Sequence, residues 1–92
     1  VLFRSKYTNS TAAGTNVLKT GVGNLVMITV NKPVSGSTIT LYDNTAASGT
    51  KIGTITNSTV TTPYFLKYDC FFSTGLTIVT SGADDITVIT AQ

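Results

Sequence analysis

The sequence predicts an all-β protein, a single antiparallel β-sandwich of about eight strands. Three observations predict this class. Thr, Val and Ile dominate the chain, while strong helix formers are scarce, with no Glu and one Gln. Side chains that branch at Cβ suit a pleated sheet better than a helix. Turn-forming residues recur at intervals of roughly ten residues, which is typical of sandwiches and barrels.

Each strand is predicted from a short run of β-formers between turn signals such as Gly21-Val22-Gly23-Asn24 and Ser73-Thr74-Gly75. Alternation supports the assignments, because successive strand side chains point to opposite faces. Ile39 and Leu41, for example, are expected on one face of their strand. The predicted strands are Phe3–Asn9, Asn16–Thr20, Leu25–Asn31, Thr38–Asp43, Thr50–Asn57, Tyr64–Phe72, Leu76–Thr80 and Ile86–Thr90.

Some strands are apolar on both faces. In the third predicted strand, Leu25 and Met27 are expected to oppose Val26, Ile28 and Val30. One face can fill the interior of the sandwich, and the other must meet a different surface. We therefore expect self-association, with a trimer favoured over a dimer.

The length and the charge of the chain limit the classes of function that it can have. The 92 residues allow one domain, residues 1–92, whose core is modest in size. Charged residues make up only 11% of the chain and apolar residues 41%, so part of the surface is expected to be interface. The six basic residues are scattered, which argues against nucleic-acid binding. The longest apolar run, Leu25–Ile28, is far below the ~20 residues that a membrane-spanning helix needs.

The inventory of catalytic side chains is nearly empty. Without His, the chain lacks the base of a serine triad, and one Cys cannot complete a zinc site. Cys70 shares parity with Leu66 and Phe72, so we expect it to act as a small buried hydrophobe. Asp84-Asp85 suggests either a turn or a calcium ligand pair, and the turn is favoured. We therefore expect no enzyme activity, no cofactor and no metal.

Two further motifs have simple alternatives. Asn9-Ser10-Thr11 and Asn57-Ser58-Thr59 match the N-glycosylation pattern, although such triplets arise by chance in a chain rich in Asn and Thr. The four tyrosines could line a sugar-binding face. In the absence of Trp, interface or core packing is the favoured interpretation.

The N-terminal segment is the candidate partner-binding element. Residues 1–7 form an apolar stretch with two positive charges, which we expect to act as an extended arm that enters a groove or joins a sheet edge of another chain. The alternative is that Phe3–Tyr7 belongs to the first strand of this domain. The candidate partner-binding residues are Val1, Leu2, Phe3, Arg4 and Tyr7.

The order of four segments resembles a known group of proteins. Gly21–Val30 is followed by Ser37–Thr50, which contains Leu41-Tyr42-Asp43 and a loop of small residues. Ser73–Ile78 and Ala83–Ile89 follow near the end. This order is similar to that of small virion proteins of tailed bacteriophages, of the capsid-decoration or cement type. The resemblance covers residues 17–90 and consists of hairpin patterns without catalytic signatures.

The resemblance implies a jelly-roll-like, oligomeric protein on the surface of a phage head, where it binds the major capsid protein and stabilises the shell. It brings no catalytic residues. A second interpretation is a tail or fibre knob that binds a host glycan or receptor. A third is a non-viral, adhesin-like sandwich. Copy number on the particle separates the first two, because a cement protein is abundant on the head and a fibre knob is rare.

Overall fold

The computed structural model describes residues 5–57, 59 and 62–91. In this part of the chain all regular structure is strand, and the eight strands form two antiparallel four-stranded sheets. The predicted fold class is confirmed. The strands are β1 (Ser5–Ser10), β2 (Gly14–Thr20), β3 (Gly23–Lys32), β4 (Ser37–Asp43), β5 (Thr50–Asn57), β6 (Tyr64–Phe72), β7 (Gly75–Thr80) and β8 (Asp85–Ala91).

The strand order is that of a jelly roll. The first sheet runs β1-β8-β3-β6 and the second runs β2-β7-β4-β5. Strands pair in a nested series, β1 with β8, β2 with β7, β3 with β6 and β4 with β5. Only the β4–β5 connection stays within one sheet, and each other connection crosses the sandwich. A sandwich of this kind joins two Greek keys in eight strands.

The core lies between the two sheets. It is built from the inward-facing apolar residues of every strand except β1 and β2, because period-2 alternation gives each strand one buried face. Ile39 and Leu41 are fully buried on one face of β4, as the sequence predicts. The buried apolar residues are Leu25, Ile28, Val30, Ile39, Leu41, Ile55, Phe72, Leu76, Ile78, Ile86 and Val88.

The predicted faces of β3 are wrong. Leu25, Ile28 and Val30 are all fully buried, and the register shifts between Leu25 and Met27 against both neighbouring strands. This β-bulge inserts one residue and reverses the parity of the strand. Met27 consequently points away from the core, opposite Ile89 of β8.

The N-terminal segment divides into two parts. Ser5, Lys6 and Tyr7 belong to β1 and pair with β8 in an uninterrupted register. This part matches the alternative interpretation, in which the segment is the first strand of the domain. Val1, Leu2, Phe3 and Arg4 lie outside the described residues, so the arm is retained for these four residues as a prediction.

Candidate interaction surface

A buried polar cluster closes one end of the sandwich. Asp84, on the β7–β8 connection, is 1% exposed, and its Oδ2 accepts hydrogen bonds from the Val34 amide (3.1 Å), the Ser37 hydroxyl (2.8 Å) and the Asn57 side-chain amide (2.9 Å). The Tyr64 hydroxyl donates to Asn57 Oδ1. Burial and the nearby Asp84 charge both raise the pKa of Tyr64, although its hydrogen bond to Asn57 acts in the opposite direction. The cluster joins β3–β4, β5, β6 and β7–β8.

The hydrogen bonds of this buried cluster connect separate parts of the chain. Asp84 Oδ1 has no hydrogen-bond partner within the described residues, and Asp84 Oδ2 binds the β3–β4 turn. Asn57 is fully buried, so the sequon that begins there is closed to a glycan in the folded protein. Ser37 and Asn57 donate to the same oxygen of Asp84, and Tyr64 in turn donates to Asn57, so the cluster links four parts of the chain.

The side chain of Asp85 points away from this buried cluster. Its Oδ1 accepts from the side-chain amides of Asn9 (2.7 Å) and Asn31 (3.2 Å) on the outer surface of the first sheet. These two hydrogen bonds lower the pKa of Asp85, the Asn9 bond most. The side chain of Asn9 is therefore held by a carboxylate in the folded protein. The asparagine of the Asn9-Ser10-Thr11 sequon, like that of the Asn57 sequon, thus has a structural role.

Asp43 organises the opposite end of the sandwich. Its carboxylate accepts from the backbone amides of Ser73, Thr74 and Gly75 in the β6–β7 turn. The Ser73 amide bond is the largest reason that the pKa of Asp43 lies below its ordinary value of 3.8. Within the described residues, no group of three or more His, Cys, Asp or Glu side chains is placed to hold a metal ion.

Cys70 is half-buried on the inward side of β6 and packs against the core. Burial, followed by the charges of Asp43 and Asp69, raises the pKa of its thiol. A raised pKa keeps the thiol protonated and therefore unreactive. This environment agrees with the predicted role of a small hydrophobe.

The outer surface of the first sheet carries exposed aromatic and apolar side chains. Paired residues of adjacent strands share a face, so the register places Tyr7, Ile89 and Met27 in one row across β1, β8 and β3. Phe65 and Phe71 of β6 lie to either side of that row, opposite Thr29 and Asn24. We call Tyr7, Met27, Phe65, Phe71 and Ile89 the aromatic face.

Exposure on this face is large for such side chains. Tyr7 is 77% exposed, and Phe65 and Phe71 are each 64% exposed. The outer surface of the second sheet differs, because its rows are mainly threonine. These outward threonines are Thr15, Thr38, Thr40, Thr54 and Thr56. Several exposed aromatic residues on one face of a sheet mark a surface that meets another molecule.

An ion pair lies on the aromatic face. Lys67 occupies the β6 end of the Tyr7–Ile89–Met27 row, opposite Met27, and its Nζ is 3.4 Å from Asp69 Oδ2. Both side chains are more than half exposed. Asp69 has a φ of 47°, in the left-handed region that Asp tolerates better than most residues. It lies at a bulge, because the β3–β6 register shifts between Leu25 and Met27.

A shallow cleft adjoins Phe71 at the start of β3. It has a volume of about 360 Å³. An aromatic ring, an amide and a lysine come together at Phe71, Asn24 and Lys19. Gly23 forms part of the lining, and a Cβ there would lie 2.7 Å from Phe72 Cζ, so this position needs glycine. A partly apolar cleft with a few polar groups suits a small ligand such as a sugar.

The candidate residues from the sequence are placed unevenly. Tyr7 is exposed on the aromatic face, whereas Val1, Leu2, Phe3 and Arg4 lie outside the described residues. Four residues of this face were not predicted as interaction residues from the sequence: Phe65, Phe71, Met27 and Ile89. Phe65 and Phe71 have the opposite parity to Leu66 and Cys70 in β6, and this alternation was the signal that could have found them.

No helix within the described ranges is long and apolar enough to cross a membrane.

Comparison with known proteins shows the fold alone. No family model and no curated protein matches the chain. Among solved structures, a chain from the Bacillus endospore appendages, a novel family of disulfide-linked pili, is similar with a TM-score of 0.56. The match covers 98% of this chain and 83% of that chain at 14% identity.

A chain from the infectious bursal disease virus Gx strain is also similar, at 14% identity and a TM-score of 0.36. This match covers 95% of this chain and 28% of the viral chain. The low score of this second match carries no argument. The pilus chain supports the sandwich fold.

Proposed function

We propose that this chain is a structural protein of a tailed-phage particle: a capsid decoration or cement protein that binds the major capsid protein and stabilises the head shell. The observation that carries the proposal is the aromatic face. A small, weakly charged domain that exposes three aromatic rings on one sheet is suited to binding other protein surfaces. Adhesion is the corresponding mechanism.

The polar side chains support adhesion over catalysis. Asp43, Asp84 and Asp85 each hold a loop or a strand in place through hydrogen bonds, and Asp69 pairs with Lys67. The thiol of Cys70 is held protonated by its surroundings. These groups stabilise the sandwich, and the aromatic face has no such internal role.

Two kinds of contact fit this function. Copies of the protein associate through an apolar sheet face, and the N-terminal residues Val1–Arg4 reach the capsid as an anchor. Burial of Leu2 and Phe3 in a groove would contribute roughly 3–6 kcal/mol before the cost of association. Several arms on one oligomer multiply a weak contact into high avidity.

The test is the copy number of the chain in purified virions. We expect a stained gel to show it in an amount comparable to the major capsid protein, and to show that heads stripped of it are less stable to heat. A few copies per particle, or its absence from the particle, would refute the proposal.

The cleft beside Phe71 favours a second function, a tail or fibre knob that binds a host glycan. An exposed ring can stack on a sugar, while Asn24 and Lys19 can donate to its hydroxyls. In that case Phe71→Ala should abolish binding of the purified protein to host cell-surface glycans, and Val17→Ala, an exposed position in the second sheet, should not. Binding that is unaffected by Phe71→Ala would remove this alternative.

A further inference from the structure

The outward residues of β6 have a pattern that is complementary to itself. Phe65, Lys67, Asp69 and Phe71 follow at every second position, with an aromatic ring at each end and opposite charges between. If the strand is reversed about Tyr68, Phe65 meets Phe71 and Lys67 meets Asp69. A two-fold interface requires this property, because the same patch serves both partners.

We propose that the aromatic face is a two-fold interface between two copies of this chain. The two first sheets stack face to face with their β6 strands antiparallel. Lys67 of each copy then faces the carboxylate of Asp69 in the other, and the Phe65 rings pack beside the Phe71 rings. The inference deepens the proposed function by naming the partner of this face, but its test does not depend on that function.

Face-to-face stacking is preferred to pairing along the β6 edge. β6 is an edge strand, yet its register shifts near Asp69, and the positive φ of Asp69 takes the backbone out of an extended conformation. Bulges and charges on an edge strand oppose the addition of another strand. The side chains of the face remain free to pack, since stacked sheets lie about 10 Å apart.

The area of the face places the dimer among small interfaces. Four strands span about 19 Å, and the six-residue separation of Phe65 and Phe71 spans about 20 Å, so each copy contributes about 400 Å². The total of about 800 Å² lies in the range of weak, reversible complexes. We therefore expect a weak, reversible dimer, in place of the trimer that the sequence suggested.

The experiment is sedimentation equilibrium of the purified chain from about 10 µM to about 1 mM. We expect a monomer–dimer equilibrium that weakens about tenfold or more in Lys67→Asp and in Phe65→Ser. Lys51→Asp and Val17→Ser are the matched controls, because Lys51 and Val17 are exposed positions in the second sheet. They should leave the equilibrium unchanged.

A charge-exchange experiment tests the register itself. Lys67→Asp makes the patch fully acidic and Asp69→Lys makes it fully basic, so each alone should dimerise about tenfold or more weakly than the wild type, and an equimolar mixture should recover association as the heterodimer. Because Asp69 has a φ of 47°, Asp69→Lys costs some stability, and its circular dichroism and melting curve establish that it is folded.

Different outcomes test the dimer, its register and the proposed function separately. A monomer at every concentration, a trimer, or a dimer that responds equally to Lys67→Asp and to Lys51→Asp would overturn the inference. Failure of the mixture to associate, with both variants folded, would overturn the proposed register. A dimer in solution together with absence from virions would instead refute the proposed function alone.

Discussion

Replacement of Asp84 by alanine should severely destabilise the sandwich. One carboxylate oxygen accepts three hydrogen bonds, from the Val34 amide, the Ser37 hydroxyl and the Asn57 amide, at 2.8–3.1 Å. In Asp84→Ala these three donors lose their acceptor in a site that is 1% exposed at its centre. A buried donor without a partner costs about 1–3 kcal/mol.

The sum is reduced by two effects. The substitution also removes Asp84 Oδ1, a buried oxygen that has no partner among the described residues, so its desolvation cost disappears. In addition, the cavity left by the carboxylate can admit water, which can accept from the three donors. We expect a net loss of about 3–5 kcal/mol, because three buried donors at about 1–3 kcal/mol each lose their acceptor and part of that cost is recovered. For a domain of this size, this lowers Tm by roughly 15–30 °C. Asp84→Asn retains one acceptor oxygen and should cost about 1–2 kcal/mol.

The neighbouring residue is the control. Asp85 is identical in type and adjacent in sequence, but its bonds to Asn9 and Asn31 lie on the exposed surface. Urea and thermal unfolding, followed by far-ultraviolet circular dichroism, should show a much smaller loss for Asp85→Ala than for Asp84→Ala. Equal losses for the two variants would refute the assignment of Asp84 as the centre of the buried cluster.

Three other predictions follow from the same structure. Cys70→Ala should cost about 1–2 kcal/mol in urea unfolding and leave particle binding intact, and loss of binding in a folded variant would contradict the structural role of the thiol. The pKa of Asp43 is lowered in the folded state, so its contribution to stability is present above pH 3.8 and is lost as pH falls below that value through the folded pKa. The Tm difference between wild type and Asp43→Asn should therefore shrink in acid, and a difference that is constant with pH would contradict this. Deletion of Val1–Arg4 should reduce retention on capsids with little change in Tm, whereas a collapse of Tm would assign these residues to the core.

Most of the architecture could be predicted from local patterns. All eight predicted strands exist, and their ends differ by no more than a few residues, because β-branched runs and Gly-rich turns fix strands locally. The inward parity of Ile39 and Leu41 was also correct. Pairing of β1 with β8 was beyond local patterns, since the two strands are separated by most of the chain.

The candidate surface was harder to predict. A bulge in β3 reversed the parity after Leu25, and bulges leave only a weak trace in one sequence. The ring positions on β6 were visible as alternation, but exposure depends on which sheet covers which face. The roles of Asp84 and Asp85 depend on partners far away in the chain, such as Asn57 and Asn9, so turn propensity alone could not separate them.

The most direct test of the proposed function is a cryo-electron microscopy map of the phage particle that carries this chain. We predict density for an eight-stranded sandwich at many symmetry-related positions on the outer surface of the head, with its N-terminal residues against the major capsid protein. The aromatic faces of neighbouring copies should meet across a two-fold axis. A sandwich found in a few copies at the tail tip, with Phe71 free to reach a host glycan, would contradict the account.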